Sequence, residues 1–83
     1  MNKLQIVCFQ LQREGMPIRL LKTEDEVFRI HFRLFSYAKN EPFNSIFYIA
    51  KVAVDALSES LLEYQIKLEY YNFLREFIEC ENE

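Results

Sequence analysis

The stretch Thr23–Leu34, TEDEVFRIHFRL, decides the fold because its two halves predict different structures. Thr23 and Glu26 have the spacing of a capping box, in which a threonine hydroxyl and a glutamate carboxylate bond to backbone N–H groups at the start of a helix. Phe28–Leu34 instead alternates apolar and polar residues, which is the period of a half-buried strand. The capping box favours a helix that begins at Thr23. A strand over residues 27–35 is the alternative.

Polar residues in this predicted helix recur at spacings of three and four and would form one stripe on an otherwise apolar cylinder. They are Glu26, Arg29, Arg33, Ser36 and Asn40. The helix should therefore be mostly buried. It should end near Lys39, because Asn40 can adopt the left-handed conformation and Pro42 suits the first turn of a following helix.

The N-terminal segment has apolar residues at helical spacing, at Leu4, Val7, Cys8 and Leu11. A short strand over residues 3–12 fits nearly as well, so both structures stay open. The element should stop near Glu14, because Gly15 can take the left-handed position that ends a helix and Pro17 cannot continue it.

The segment Phe43–Glu79 contains neither glycine nor proline, which predicts helix. A single helix of that length would run about 55 Å, which is long for a compact domain, so we expect a break within Asp55–Ser60. Ser60 and Glu63 form a second capping box there. Whether residues 43–79 form one helix or two stays open. We predict an all-α bundle of three to four helices, a single helical domain over residues 1–83. The alternative is an α+β fold with an N-terminal hairpin or three strands followed by long helices.

The last helix carries two apolar stripes. The first consists of Leu62, Ile66, Tyr70, Phe73, Phe77 and Cys80, and the second of Leu61, Tyr64, Leu68, Tyr71 and Ile78. An intramolecular core could take one stripe and leave the other for another protein or a second copy. We predict that the aromatic residues form this interface, with core packing as the alternative for each. The predicted interface residues are Tyr64, Tyr70, Tyr71, Phe73 and Phe77.

The net charge of −3 and the pI near 5.2 argue against a protein that coats a nucleic-acid duplex, which needs a dense basic face. We therefore expect another protein, and not nucleic acid, to be the partner. The positive charge is nevertheless concentrated in the first forty residues, so a small nucleic-acid-binding transcription regulator is the alternative function. Its candidate residues are Arg13, Arg19, Lys22, Arg29, His31 and Arg33.

Residues able to carry catalysis are few. His31 and the two cysteines, Cys8 and Cys80, lie far apart in sequence and lack the spacings of zinc sites or redox pairs. Gly15 is the only glycine, whereas phosphate-binding loops need several. We therefore predict no enzyme activity, no metal and no cofactor.

Every uncharged stretch is far shorter than the ~20 residues of a membrane-spanning helix. No signal peptide is evident, so we expect a cytoplasmic protein without membrane contact, with both cysteines reduced. Taken together, these features predict a non-enzymatic protein–protein interaction module that acts as a small regulator, inhibitor, adaptor or chaperone. Its mechanism would be the docking of an aromatic amphipathic helix, with a homodimer as one form.

Overall fold

A computed structural model of the protein describes residues 2–21 and 26–82. Its elements in chain order are α1 (Lys3–Arg13), β1 (Ile18–Leu21), β2 (Val27–Ser36), β3 (Glu41–Ala50), α2 (Lys51–Ala56) and α3 (Glu59–Glu81). This is an α+β fold, so the predicted all-α bundle is wrong.

The three strands form one antiparallel sheet in the order β1-β2-β3. β2 and β3 pair along their whole length, from Val27 opposite Ala50 to Ser36 opposite Glu41. Along β2, Ile30 and Phe32 are buried on one face of the sheet, and the alternate residues, Arg29, His31 and Arg33, point to the other face. The alternation of Phe28–Leu34 therefore indicated the true structure.

The helix predicted to begin at Thr23 is wrong, because the strand starts at Val27. Thr23 itself lies outside the described residues. A helix cap contributes about 1 kcal/mol. A ten-residue strand that buries Ile30 and Phe32 gains considerably more, and a paired strand is held in register by that burial. The polar stripe expected from Glu26 to Asn40 is accordingly absent.

The helix predicted from Phe43 onwards is also wrong over its first part, which forms β3. Three residues of this segment point toward the core at even spacings, as in a strand, namely Phe43, Phe47 and Ile49. Aromatic and β-branched side chains such as these also favour strands. Asn40 does adopt the left-handed conformation, with φ at 54°, but in the turn between β2 and β3.

The N-terminal segment is a helix, and the apolar spacing identified its buried side, since Leu4, Val7, Cys8 and Leu11 are all buried. Asn2 caps α1, because its Oδ1 accepts the backbone N–H of Gln5 at 2.7 Å. In return, the Gln5 Oε1 accepts the backbone N–H of Asn2 at 2.8 Å. The predicted end near Glu14 is confirmed, and Gly15 follows with φ at 97°.

The break expected within Asp55–Ser60 is confirmed, because α2 ends at Ala56 and α3 begins at Glu59. The cap is Ser58 and not Ser60: the Ser58 Oγ accepts the Leu61 N–H at 3.2 Å. At the same joint, the Lys3 Nζ donates to the carbonyl oxygen of Leu57 at 2.6 Å and to that of Asp55 at 3.4 Å. This joint is thereby tied to the first turn of α1.

The long helices cover one face of the sheet. α1 contacts α3 and β1, and α3 contacts β2 and β3. The core between them is apolar, with Leu4 and Leu11 from α1, Phe32 from β2, and Leu62 and Phe73 from α3. No element within residues 2–21 and 26–82 packs on the opposite face of the sheet, which we call the open face.

Candidate interaction surfaces

One stripe of α3 packs against the sheet. Leu62, Ile66 and Phe73 are buried, and Tyr70 and Phe77 are half-buried beside them. The ring of Phe73 lies 5.6 Å from that of Phe32 and 5.4 Å from that of Phe43. This first stripe, which also includes the half-buried Cys80, therefore holds α3 on the sheet, and we call it the inner stripe.

The five residues predicted to form an interface lie on two different faces of α3. Phe73 is in the core, and Tyr70 and Phe77 are partly buried next to it. Tyr64 and Tyr71 are 62% and 58% exposed. The structure thus leaves only these two of the five on a freely accessible surface.

The second stripe of α3 remains exposed along the whole helix. Leu61, Tyr64, Leu68, Tyr71 and Ile78 are each between 45% and 62% exposed. They recur at alternating spacings of three and four, the a/d pattern of a coiled coil, with exposed Arg75 at the intervening a position. We call these six residues the outer stripe. Since successive residues turn by about 100°, it points about 180° away from the inner stripe.

The open face of the sheet carries positive charge. Its outward residues on β1 and β2 include Arg19, Arg29, His31 and Arg33, since the buried residues occupy the alternate positions. Across the described part of this face there is no carboxylate. The side chains of Arg19 and Arg33 form no hydrogen bond or ion pair with any described residue.

Aromatic and apolar groups lie among these charges. On β3, Ile46 and Tyr48 are 44% and 60% exposed. Phe35, at the end of β2, meets the exposed ring of Tyr37 edge-on at 5.0 Å between ring centroids. The imidazole Nε2 of His31 lies 2.9 Å from the Asn44 Oδ1, which fixes that ring on the surface.

A shallow groove of about 550 Å³ runs along the join of β1 and β2 on this face. Its lining includes Arg19, His31, Arg33 and Phe35, together with Met16 and Pro17. The groove therefore offers two guanidinium groups and an aromatic ring to the same ligand.

The few residues considered for catalysis are separated by the sheet. Cys8 is buried on α1, on the helical side, whereas His31 lies on the open face. Burial raises the pKa of the Cys8 thiol to about 11, which keeps it protonated and unreactive. Both cysteines are free thiols. Among the residues that the structure places, no group of three His, Cys, Asp or Glu could hold a metal.

The alternative prediction of a strand over residues 27–35 already placed Arg29, His31 and Arg33 on one exposed face, and the structure follows that alternative. The signal was present in the sequence, since Arg29, His31 and Arg33 occupy every second position. In a strand this spacing places all three on one face, whereas a helix distributes them around its circumference.

No family model, curated protein or solved structure matches this chain. In the part of the chain that is described, no helix is long and apolar enough to cross a membrane.

Proposed function

We propose that this protein is a non-enzymatic protein-interaction module that works as a dimer, joined through the outer stripes of two α3 helices. The observation that supports this proposal is the a/d pattern of exposed Leu61, Tyr64, Leu68, Tyr71 and Ile78, which only Arg75 interrupts. Exposed apolar stripes of this size mark interaction sites in soluble proteins. The sequence-based roles of regulator, inhibitor, adaptor or chaperone stay predictions.

A second copy is the favoured partner because the outer stripe is complementary to itself. In an antiparallel pair, a positions face d positions. Leu61 of one copy then lies opposite Ile78 of the other, and Leu68 lies opposite Tyr71. The remaining pair sets Arg75 against Tyr64, where a guanidinium can stack on a ring.

Residues beside the outer stripe do not oppose this pairing. In the antiparallel arrangement Gln65 of one copy comes beside Asn72 of the other, and both side chains are uncharged. The many glutamates of α3 are thus kept from facing each other near the centre of the pair. A parallel pair would instead place the two Arg75 side chains together, and the repulsion between their like charges disfavours it.

The size of the surface is typical of weakly associating complexes. With about 200 Å² for a fully exposed large side chain, the five apolar residues present on the order of 550 Å² per copy. Two copies would bury about 1,100 Å², which lies at the lower limit for specific interfaces. We therefore expect a dimer with a dissociation constant on the order of 10⁻⁶ M.

Solution mass over a concentration series, measured by light scattering or sedimentation, tests the dimer. The chain has a mass of 10.1 kDa, and we expect a doubling of the mass above micromolar concentration. Leu68→Glu should keep the protein monomeric, because it places two charges at the centre of the interface. The matched control is Gln10→Glu, which adds the same charge at an exposed helical position on α1.

A charge exchange tests the antiparallel register. Leu61→Glu and Ile78→Lys should each weaken the dimer alone. Combined, they should restore it in part, since each new glutamate would then face a new lysine of the other copy. The glutamate would lie in the first turn of α3 and the lysine in its last turn, where the helix dipole favours a negative and a positive charge respectively. Both variants should therefore still fold.

A doubly substituted protein that stays monomeric, while the unsubstituted protein dimerises, would contradict the antiparallel arrangement. A monomer at every concentration for the unsubstituted protein would overturn the proposal of a second copy. The outer stripe would then have to be occupied by a helix of a different protein.

A further inference from the structure

We propose that the open face binds single-stranded nucleic acid, with Arg19 and Arg33 on phosphates and exposed aromatic rings stacked on bases. The site uses a different layer of the protein from the outer stripe of α3. It therefore goes beyond the proposed dimer and does not depend on it.

Charge separation across the molecule favours this ligand. On the helical side, α3 carries six glutamates, namely Glu59, Glu63, Glu69, Glu76, Glu79 and Glu81. On the other side of the sheet, Arg19 and Arg33 flank one groove without any carboxylate among the described residues of that face. A polyanion is thus attracted to the open face and repelled from the helical side, although the chain as a whole is acidic.

The aromatic residues make nucleic acid a better fit than an acidic peptide. Phe35 lies within the groove beside Arg33, and Tyr37 extends that surface at the end of β2. Tyr48 stands on β3, on the far side of β2 from Arg19. Flat exposed rings next to cations provide both of the contacts by which proteins hold single strands, stacking and phosphate binding. A peptide carboxylate would use only the arginines.

A single strand fits the site better than a duplex. The bases of a duplex are stacked on one another and unavailable to Phe35 or Tyr48, so only phosphate contacts would remain. Two arginines neutralise few phosphates, and duplex binding at physiological salt needs many more. Unpaired bases can instead spread over the open face, on which no described helix packs.

Fluorescence anisotropy with labelled oligothymidylate and oligouridylate of about 12 nucleotides tests the proposal. At about 50 mM salt we expect a dissociation constant between roughly 10⁻⁶ and 10⁻⁴ M, with at least tenfold weaker binding to a duplex. The double variant Arg19→Gln with Arg33→Gln should bind at least tenfold more weakly. The slope of log K against log salt concentration should also become shallower by about 0.7 for each lost phosphate contact.

The control is Arg13→Gln with Lys51→Gln, which removes the same charge from α1 and the start of α2 and should bind normally. Tyr48→Ala should weaken binding about tenfold without changing the salt dependence, because it removes stacking alone. Circular dichroism verifies that each variant is folded. The four residues replaced in the two double variants are all exposed, namely Arg13, Arg19, Arg33 and Lys51.

Three outcomes would overturn the proposal. They are no binding at protein concentrations up to about 10⁻⁴ M, equal losses in the two double variants, and equally tight binding of polyglutamate, which would indicate an acidic peptide ligand instead. Repeating the titration with the monomeric Leu68→Glu variant separates the two proposals, since nucleic-acid binding should persist when the dimer is lost.

Discussion

Replacing Phe73 by alanine should destabilise the protein far more than replacing Tyr71, although both are aromatic residues of α3. Phe73 is 2% exposed, and its ring lies between 5.4 and 6.3 Å from those of Phe32, Phe43 and Tyr70. Tyr71 is 58% exposed on the opposite side of the helix. The pair thus tests which side of α3 holds the fold.

The magnitude follows from burial. Removing a buried phenylalanine costs about 3–5 kcal/mol, from lost apolar contact and the cavity left behind. A domain of this length is stable by about 4–12 kcal/mol in all. Phe73→Ala should therefore lose between about a quarter and all of its free energy of unfolding. Tyr71→Ala should change it by less than about 0.5 kcal/mol in the monomer.

Urea denaturation followed by circular dichroism measures both variants, at a protein concentration below that of dimer formation so that only intramolecular packing contributes. If Phe73→Ala cost less than about 1 kcal/mol, or if the two variants lost equal stability, the inner stripe would not be what holds α3 on the sheet. The outer stripe would then no longer be a credible free surface.

Three further predictions concern the turn after β2 and the thiols. Glu81→Ala should lower the free energy of unfolding by about 1–2 kcal/mol in urea denaturation, because the Glu81 carboxylate accepts a hydrogen bond from the hydroxyl of buried Ser36. Glu79→Ala, at an exposed position, should lower it by almost nothing. At pH 8 a thiol reagent should modify half-buried Cys80 and spare buried Cys8 until the protein is unfolded, and rapid labelling of both would contradict the described packing of α1. Since the pKa of Cys8 is about 11 in the fold against 9.0 normally, the stability gained by burying the neutral thiol should be complete below pH 9 and should decline as the pH rises from 9 to 11.

The parts of the fold that the sequence predicted correctly depend on neighbouring residues. The spacing of Leu4, Val7, Cys8 and Leu11 matches the buried side of α1, although a strand over residues 3–12 had stayed open, and Gly15 with Pro17 marked its end. Helical period and chain breaks are local properties, so they can be recognised without knowledge of the rest of the molecule.

The strands could not be assigned in this way, because their stability comes from distant partners. Thr23 and Glu26 offered a local helix start, whereas the strand after them depends on pairing from Val27 with Ala50 to Ser36 with Glu41. A cap of about 1 kcal/mol is small compared with the burial that this pairing allows, but only the assembled sheet reveals the larger contribution.

The same reason explains why the sequence did not distinguish the core residues of α3 from its exposed residues. Both stripes of α3 are apolar and aromatic, so the sequence gives no indication of which one faces inward. Phe73 is turned toward the core by Phe32 and Phe43, which lie on two different strands. The open face, likewise, becomes visible only once β2 is known to be a strand.

The bonds from Lys3 to the carbonyl groups of Asp55 and Leu57 have a consequence for the order of folding during synthesis. The three strands are neighbours in sequence and can pair as soon as they are made. β1 follows α1 closely and covers part of its apolar side, but α3, which also packs on that side, begins only at Glu59. A nascent chain halted before α3 would leave the apolar side of α1 incompletely covered, which makes that intermediate prone to aggregation and a substrate for chaperones.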